Sequence, residues 1–155
     1  MKMFEARPVS REEPDEKQSV RHKVHNTVVW LNGTRAVAEM LCTLQFRVEL
    51  GGEWVDINCE ARMHYRLEKR GGVWGILYFE GIYEKDRLDP IFGDSVFNIP
   101  REQLEKYRSI NWNMAARRDL YEGGLKNSDD WAGSDRPETV RRIYDESSRF
   151  LWGEG

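Results

Sequence analysis

Three glycine-bearing turn signals, Asn32-Gly33, Gly51-Gly52 and Gly71-Gly72, cut the stretch from His22 to Asp86 into nearly equal lengths. Each supplies the positive-φ residues that a tight hairpin demands. The turns recur 19 and 20 residues apart. That leaves room for strands of about 15 to 17 residues, against a usual ~5–6. Right-handed twist accumulates along strands of that length, so they cannot stay flat. The predicted fold is therefore α+β: a strongly curved antiparallel sheet of about four long strands, a cone-like half-barrel, with C-terminal helices packed on it.

Alternation supports the strand reading. In the first strand His22, Val24, Asn26, Val28 and Trp30 are assigned to one face. In the second, Ala36, Ala38, Met40, Cys42, Leu44, Phe46 and Val48 form an apolar side. Glu39, Thr43, Gln45, Arg47 and Glu49 lie opposite with Val37 and Leu41. The third, Trp54 to Lys69, sets Val55, Ile57, Cys59, Ala61, Met63, Tyr65 and Leu67 against Asp56, Asn58, Glu60, Arg62, His64, Arg66 and Glu68. The fourth, Val73 to Glu84, is apolar on both sides, which predicts a strand covered on both faces.

After Asp86 the pattern changes. LDPIFGDSVFNIP reads as a loop, with Pro100 set for a first helical turn. Arg101 to Glu122 reads as a helix stopped by Gly123-Gly124, weakest at its NWN segment. KNSDDWAGSD is a second loop. Asp135 then reads as the N-cap of a last helix, with Pro137 in its first turn and Glu138 at the third position. Val140, Ile143, Tyr144, Ser147, Phe150 and Leu151 line one face of that helix. Residues 1–19, rich in mixed charge, read as a flexible arm, and residues 20–155 as a single domain.

Charged residues make up 33% and hydrophobic ones 39%, with a net charge of -3. Basic residues are interleaved with acidic ones, as in SREEPDEK, so nothing marks a nucleic-acid binder. No apolar run approaches the ~18 residues of a membrane span and no signal-peptide core appears, so the expected address is the cytoplasm. Cys42 and Cys59 lie mid-strand and read as buried free thiols in a reducing compartment. His22, His25, His64 and the two cysteines lack metal-ligand spacing, and no nucleotide-binding or nucleophile-elbow motif is present. No metal and no cofactor are expected.

Four segments together resemble the SnoaL-like branch of the nuclear transport factor 2-like superfamily. They are His22-x-x-x-Asn26, LNGTRAVAE (31–39), RLEKRGGVWGI (66–76) and IYEKDRLDPI (82–91), with a weaker match from Asp135 to Tyr144. The resemblance implies a cone-shaped α+β fold around an apolar pocket. It also implies cofactor-free lyase or isomerase chemistry on polyketide- or terpenoid-like molecules, or a member that only binds. His22 matches the position of a catalytic histidine used by several family members. Two departures accompany the likeness. The family's opening helices, one of which carries an aspartate that orients the histidine, have no patterned counterpart in the first 20 residues. A strand motif that usually reads Arg-Tyr-x-Asp appears as Arg62-Met63-His64-Tyr65.

Within that frame His22 is the candidate base, since imidazole titrates near neutrality. Glu80, set among aromatics in LYFEGIY, is the candidate acid. Asn26, Arg62, His64 and Tyr78 are the candidate substrate-binding residues, with Arg62 and His64 forming a polar floor if their side is concave. Two functions follow. One is a cofactor-independent dehydratase, cyclase or rearrangement enzyme acting on a hydrophobic small molecule. The other is a non-catalytic ligand-binding or dimerisation module. An apolar sheet face left open by the absent helices predicts a homodimer.

Overall fold

The computed structural model describes residues 19–121 and 130–153. The predicted arm lies outside them apart from Ser19, which already belongs to the first strand. The helix stop at Gly123-Gly124 also lies outside. The four long strands are β1 (Ser19–Asn32), β2 (Arg35–Leu50), β3 (Glu53–Arg70) and β4 (Val73–Pro90). They pair consecutively and antiparallel. A two-residue β5 (Ala132–Gly133) joins parallel to β4, giving a curved, unclosed five-stranded sheet in the order β1-β2-β3-β4-β5.

The second and third hairpins turn on Gly51-Gly52 and Gly71-Gly72, with φ of 60° and 87°, and 57° and 86°. Positive φ at both central residues is the I′ arrangement that suits strand twist. The first hairpin turns one residue later than the sequence suggests. Asn32 still pairs with Arg35, and Gly33-Thr34 form the loop with positive φ only at Gly33 (58°), as in a II′ turn.

The alternation in β2 and β3 holds throughout, because their pairing runs from Arg35↔Glu68 to Leu50↔Glu53 without a shift. Cys42, Leu44, Val48, Leu50, Val55, Ile57, Cys59, Ala61 and Met63 form one buried face, closed by Met114. We call it the core face and the opposite one the polar face. Met114 belongs to α2 (Trp112–Tyr121), which follows the four-residue α1 (Arg101–Leu104). The single helix expected from Arg101 to Glu122 is thus two. The break spans residues 105–111, so the NWN segment (111–113) opens α2 instead of interrupting a helix, and there Asp86 of β4 acts as a cap from outside. Its carboxylate accepts from the Met114 amide (2.7 Å) and from Asn113 Nδ2 (3.0 Å).

Bulges account for the other departures. In β1, Val24 pairs with Cys42 and Thr27 with Met40, so His25 and Asn26 together oppose Leu41. In β4, Glu84 is the extra residue between Tyr83↔Ala61 and Lys85↔Glu60, and Leu77 is extra between Ile76↔Leu67 and Tyr78↔Arg66. Each insertion reverses the parity beyond it, which hid the run of β4 through Asp86 to Pro90. The expectation that both faces of β4 are covered is also corrected. Val73, Trp74, Ile76, Leu77 and Phe79 are exposed, because β5 reaches only Ile82 and Tyr83.

The last helix, α3 (Pro137–Trp152), ends at Gly153 in the left-handed conformation. Its cap position is Arg136. Asp135 is drawn away by Arg108, whose Nη2 and Nε reach its two carboxylate oxygens at 2.6 and 3.0 Å. Arg108 Nη1 also donates to the Trp131 carbonyl (2.7 Å), so residues 131–135 are belted to residue 108. No helix among the described residues is long and apolar enough to cross a membrane.

Candidate functional site

α3 lies on the polar face. Ile143 and Val140 meet Ile82 and Ala132 in a small apolar cluster, and polar side chains fill the rest of the contact. His64 is fully buried (0% exposed) and Ser147 nearly so (2%). His64 Nε2 lies 2.8 Å from Ser147 Oγ, and His64 Nδ1 lies 3.0 Å from Glu39 Oε2. Beside a carboxylate, Nδ1 is a donor, which leaves Nε2 of a neutral ring to accept the serine hydroxyl. The Tyr144 hydroxyl donates to Glu39 Oε2 (2.6 Å) and accepts from Arg62 Nη1 (2.5 Å). Arg62 Nε pairs with Glu84 at 2.8 Å.

The charge states follow from these contacts. Burial raises the Glu39 pKa, but hydrogen bonds from His64 and Tyr144 and the Arg62 charge outweigh it, so its carboxyl titrates below the ordinary 4.5. Burial, together with the bond to Glu39, pushes the Tyr144 phenol up to about 12. The cluster is therefore an ionised carboxylate holding a neutral phenol, an imidazole and a guanidinium. Ser147, His64 and Glu39 have the connectivity of a nucleophile–base–acid relay. With both the hydroxyl and the imidazole buried beneath α3, what the relay does in this arrangement is fasten the helix.

The sequence-derived candidates divide between the two faces. Arg62, His64, Tyr78 and Glu80 all lie on the polar face, since Glu80 pairs with His64 and Tyr78 with Arg66. The Arg66 guanidinium stacks 3.8 Å from the Tyr78 ring centroid. Glu80 lies 3.8 Å from Arg142 of α3. His22 pairs with Leu44, so it projects from the core face, exposed to solvent. The β1 bulge thus separates it from Val28 and Trp30, with which simple alternation grouped it. Asn26 sits in the bulge, exposed, while neighbouring His25 bonds Thr43 Oγ1 at 2.7 Å. His22 and Glu80 are on opposite faces, with β2 and β3 between their strands.

Glu39, Tyr144, Ser147 and Glu84 were missed as partners of Arg62 and His64. The available signal was two polar residues, Tyr144 and Ser147, on the otherwise apolar stripe of the last helix. Among the described residues, no three His, Cys, Asp or Glu side chains converge as a metal set. An open cleft of about 370 Å³, lined by Glu53, Trp54, Phe92 and Asp94 among others, lies at the β2–β3 turn, away from all of these residues.

A scan against protein-family models finds no match. Three curated fungal proteins are similar to part of the chain. Pea pathogenicity protein 2 of Fusarium vanettenii is 30% identical over 90 residues, and a PEP2-like protein of the same fungus matches to the same extent. An uncharacterized protein of Emericella nidulans is 28% identical over 95 residues. Each alignment takes in 57% of this chain but only 39 or 40% of the relative. The chain spans about two-fifths of the length of the curated relatives it matches, so the likeness is to a part of each.

Proposed function

We propose that the chain is a non-catalytic, SnoaL-like binding module that works as a homodimer, with the open end of its core face as the interface. The observation that carries this reading is a pair of apolar rows running across all four long strands. One row is Leu31–Ala36–Leu67–Ile76 and the next is Val29–Ala38–Tyr65–Phe79. No charge interrupts either row, and the small Ala36 between Leu31 and Leu67 is itself buried. Their outer members are 63% (Leu31), 59% (Ile76), 59% (Val29) and 55% (Phe79) exposed.

With the neighbouring Trp74, these side chains present roughly 600 Å², taking about 150–250 Å² for a large side chain. That is at the top of what a monomer tolerates (~300–600 Å²) and most of the ~800 Å² per partner of a standard interface. A second copy fits because a two-fold axis sets each uncharged row against its equal and leaves nothing apolar over. Two sheet faces pack about 10 Å apart through interdigitating side chains, and the small Ala36 and Ala38 leave room for large ones. Acid–base catalysis by His22 with Glu80 would need both groups on one side of a substrate, and the register separates them. Buried thiols at Cys42 and Cys59 suit a reducing compartment.

The test is the mass of the native chain and of two exposed-site variants by light scattering. Native protein and His22→Ala are expected at twice 18.3 kDa, and Phe79→Lys at 18.3 kDa. A Phe79→Lys variant that keeps the native mass while folded would remove the proposed interface.

A further inference from the structure

α2 and α3 are attached to the sheet by different physics. The ten-residue core includes Met114 of α2 and nothing from α3. α3 contributes instead to the small cluster around Ile82 and Ile143, and buries Leu151 near its C-terminal end. Its C-terminal end is clipped where Asn32 Nδ2 donates to the Leu151 carbonyl (2.8 Å) and Arg35 Nη1 to the Phe150 carbonyl (2.9 Å). Between those points the helix is held through side-chain hydrogen bonds and ion pairs, and Glu39 is their hub.

Glu39 is faced from every packed element. From β3 come His64 Nδ1 (3.0 Å) and Arg62 Nη1 (3.9 Å). From α3 comes the Tyr144 hydroxyl (2.6 Å). From β4, Glu84 takes the other side of Arg62, and Glu80 opposes His64 in register. From β1 the opposing residue is Val28, which has no charge.

We propose that α3 is a cover that lifts as a unit when Glu39 takes up a proton, uncovering the polar face while the sheet and α2 stay folded. A protonated carboxyl is no longer an anionic acceptor for Tyr144 and His64, and Arg62 keeps only Glu84 as counter-charge. Buried donors that lose a charged acceptor cost more than an ordinary hydrogen bond, and that cost falls entirely on the β2–β3–α3 contact. The sign follows from the depressed Glu39 pKa. Its contribution is complete above 4.5 and is lost as pH falls through the lower, folded value. The core face contains no carboxylate that depends on α3, so nothing obliges it to open at the same step.

The experiment is hydrogen exchange by mass spectrometry on the full chain at pH 7 and through a series below 4.5, corrected for intrinsic exchange rates. Residues 137–152 are expected to lose protection by about tenfold or more while β3 residues 55–63 keep theirs. Glu39→Gln is expected to loosen α3 already at pH 7 and to flatten its acid response. Ser147→Ala removes a hydrogen bond without removing the titrating group, so it should loosen α3 at every pH and leave the acid response intact. Parallel loss of protection in α3 and β3, an α3 unmoved by acid, or an undiminished acid response in Glu39→Gln would each overturn the proposal.

Discussion

Tyr65 and Phe79 face each other directly across β3 and β4, their rings 5.0 Å apart and inclined at 30°. A cross-strand aromatic pair of this kind is ordinarily worth about 0.5–1.5 kcal/mol beyond its buried area. Here Tyr65 is half-buried against the core while Phe79 stands mostly in solvent. The pair forms the β4 end of a row whose outer members, Val29 and Phe79, are exposed, so its full value depends on what covers the row.

Removing the Tyr144 hydroxyl should weaken the chain without altering its association. Tyr144→Phe leaves the Glu39 carboxylate and Arg62 each short of one close partner, and about 1–3 kcal/mol of stability is expected to be lost. Urea denaturation of native and variant protein measures this. An unchanged midpoint would mean that solvent replaces the phenol at no cost.

The belt from Arg108 to Asp135 should be sensitive to acid in its own window. Hydrogen bonding from Arg108 holds the Asp135 carboxyl below the ordinary 3.8. A depressed carboxylate stabilises above its unfolded value and loses that contribution as pH falls through the folded one. Asp135→Asn is expected to be less stable than native protein at pH 7, with the two curves converging as pH drops below 3.8. Curves that stay parallel across that range would argue against the assignment.

Gly133 has no room for a side chain. A Cβ built there would lie 2.6 Å from Ile110 Cδ1 and 2.8 Å from Asp135 Oδ1. Ile110 is almost fully buried, so it cannot swing aside. Gly133→Ala is expected to cost about 1–3 kcal/mol as overpacking, read as a lower melting temperature. Gly93→Ala, with nothing within 4 Å of its Cβ, is the matched control.

Both thiols should be silent in native protein. Cys42 and Cys59 are nearly inaccessible, and burial pushes the Cys59 thiol up to about 12. A thiol that seldom ionises is a poor nucleophile. No reaction with a thiol reagent is expected at pH 7 until denaturant unfolds the sheet, when two thiols per chain should react together. Stoichiometric labelling of the folded chain would place one of them at the surface.

Much of this sheet could be read from residue spacing. The three glycine turns set the hairpins, and uninterrupted alternation in β2 and β3 picked out the core from Cys42 to Met63. Reading failed where a single residue was inserted. The bulge at His25 and Asn26 split His22 and Val24 from Val28 and Trp30, with which alternation had grouped them, and the one at Glu84 concealed the last turn-ward third of β4. Local periodicity carries no record of such insertions, because the extra residue is compensated by pairing with a distant strand. The polar face illustrates a different limit. Arg62 and His64 alternate as solvated residues do, and only a helix 82 and 83 positions later makes them buried partners of Tyr144 and Ser147. Asp135 likewise has the local features of a cap and is taken by Arg108 instead.

The homodimer proposed above requires that a second copy cover the rows Leu31–Ile76 and Val29–Phe79. Sedimentation equilibrium of the native chain over a wide concentration range tests it most directly, with Ile76→Lys as the partner measurement. Native protein is expected to approach twice 18.3 kDa in a two-state manner, and the variant to stay at 18.3 kDa throughout. A native chain that stays at 18.3 kDa at its highest attainable concentration, or a variant that associates as the native chain does, would contradict it.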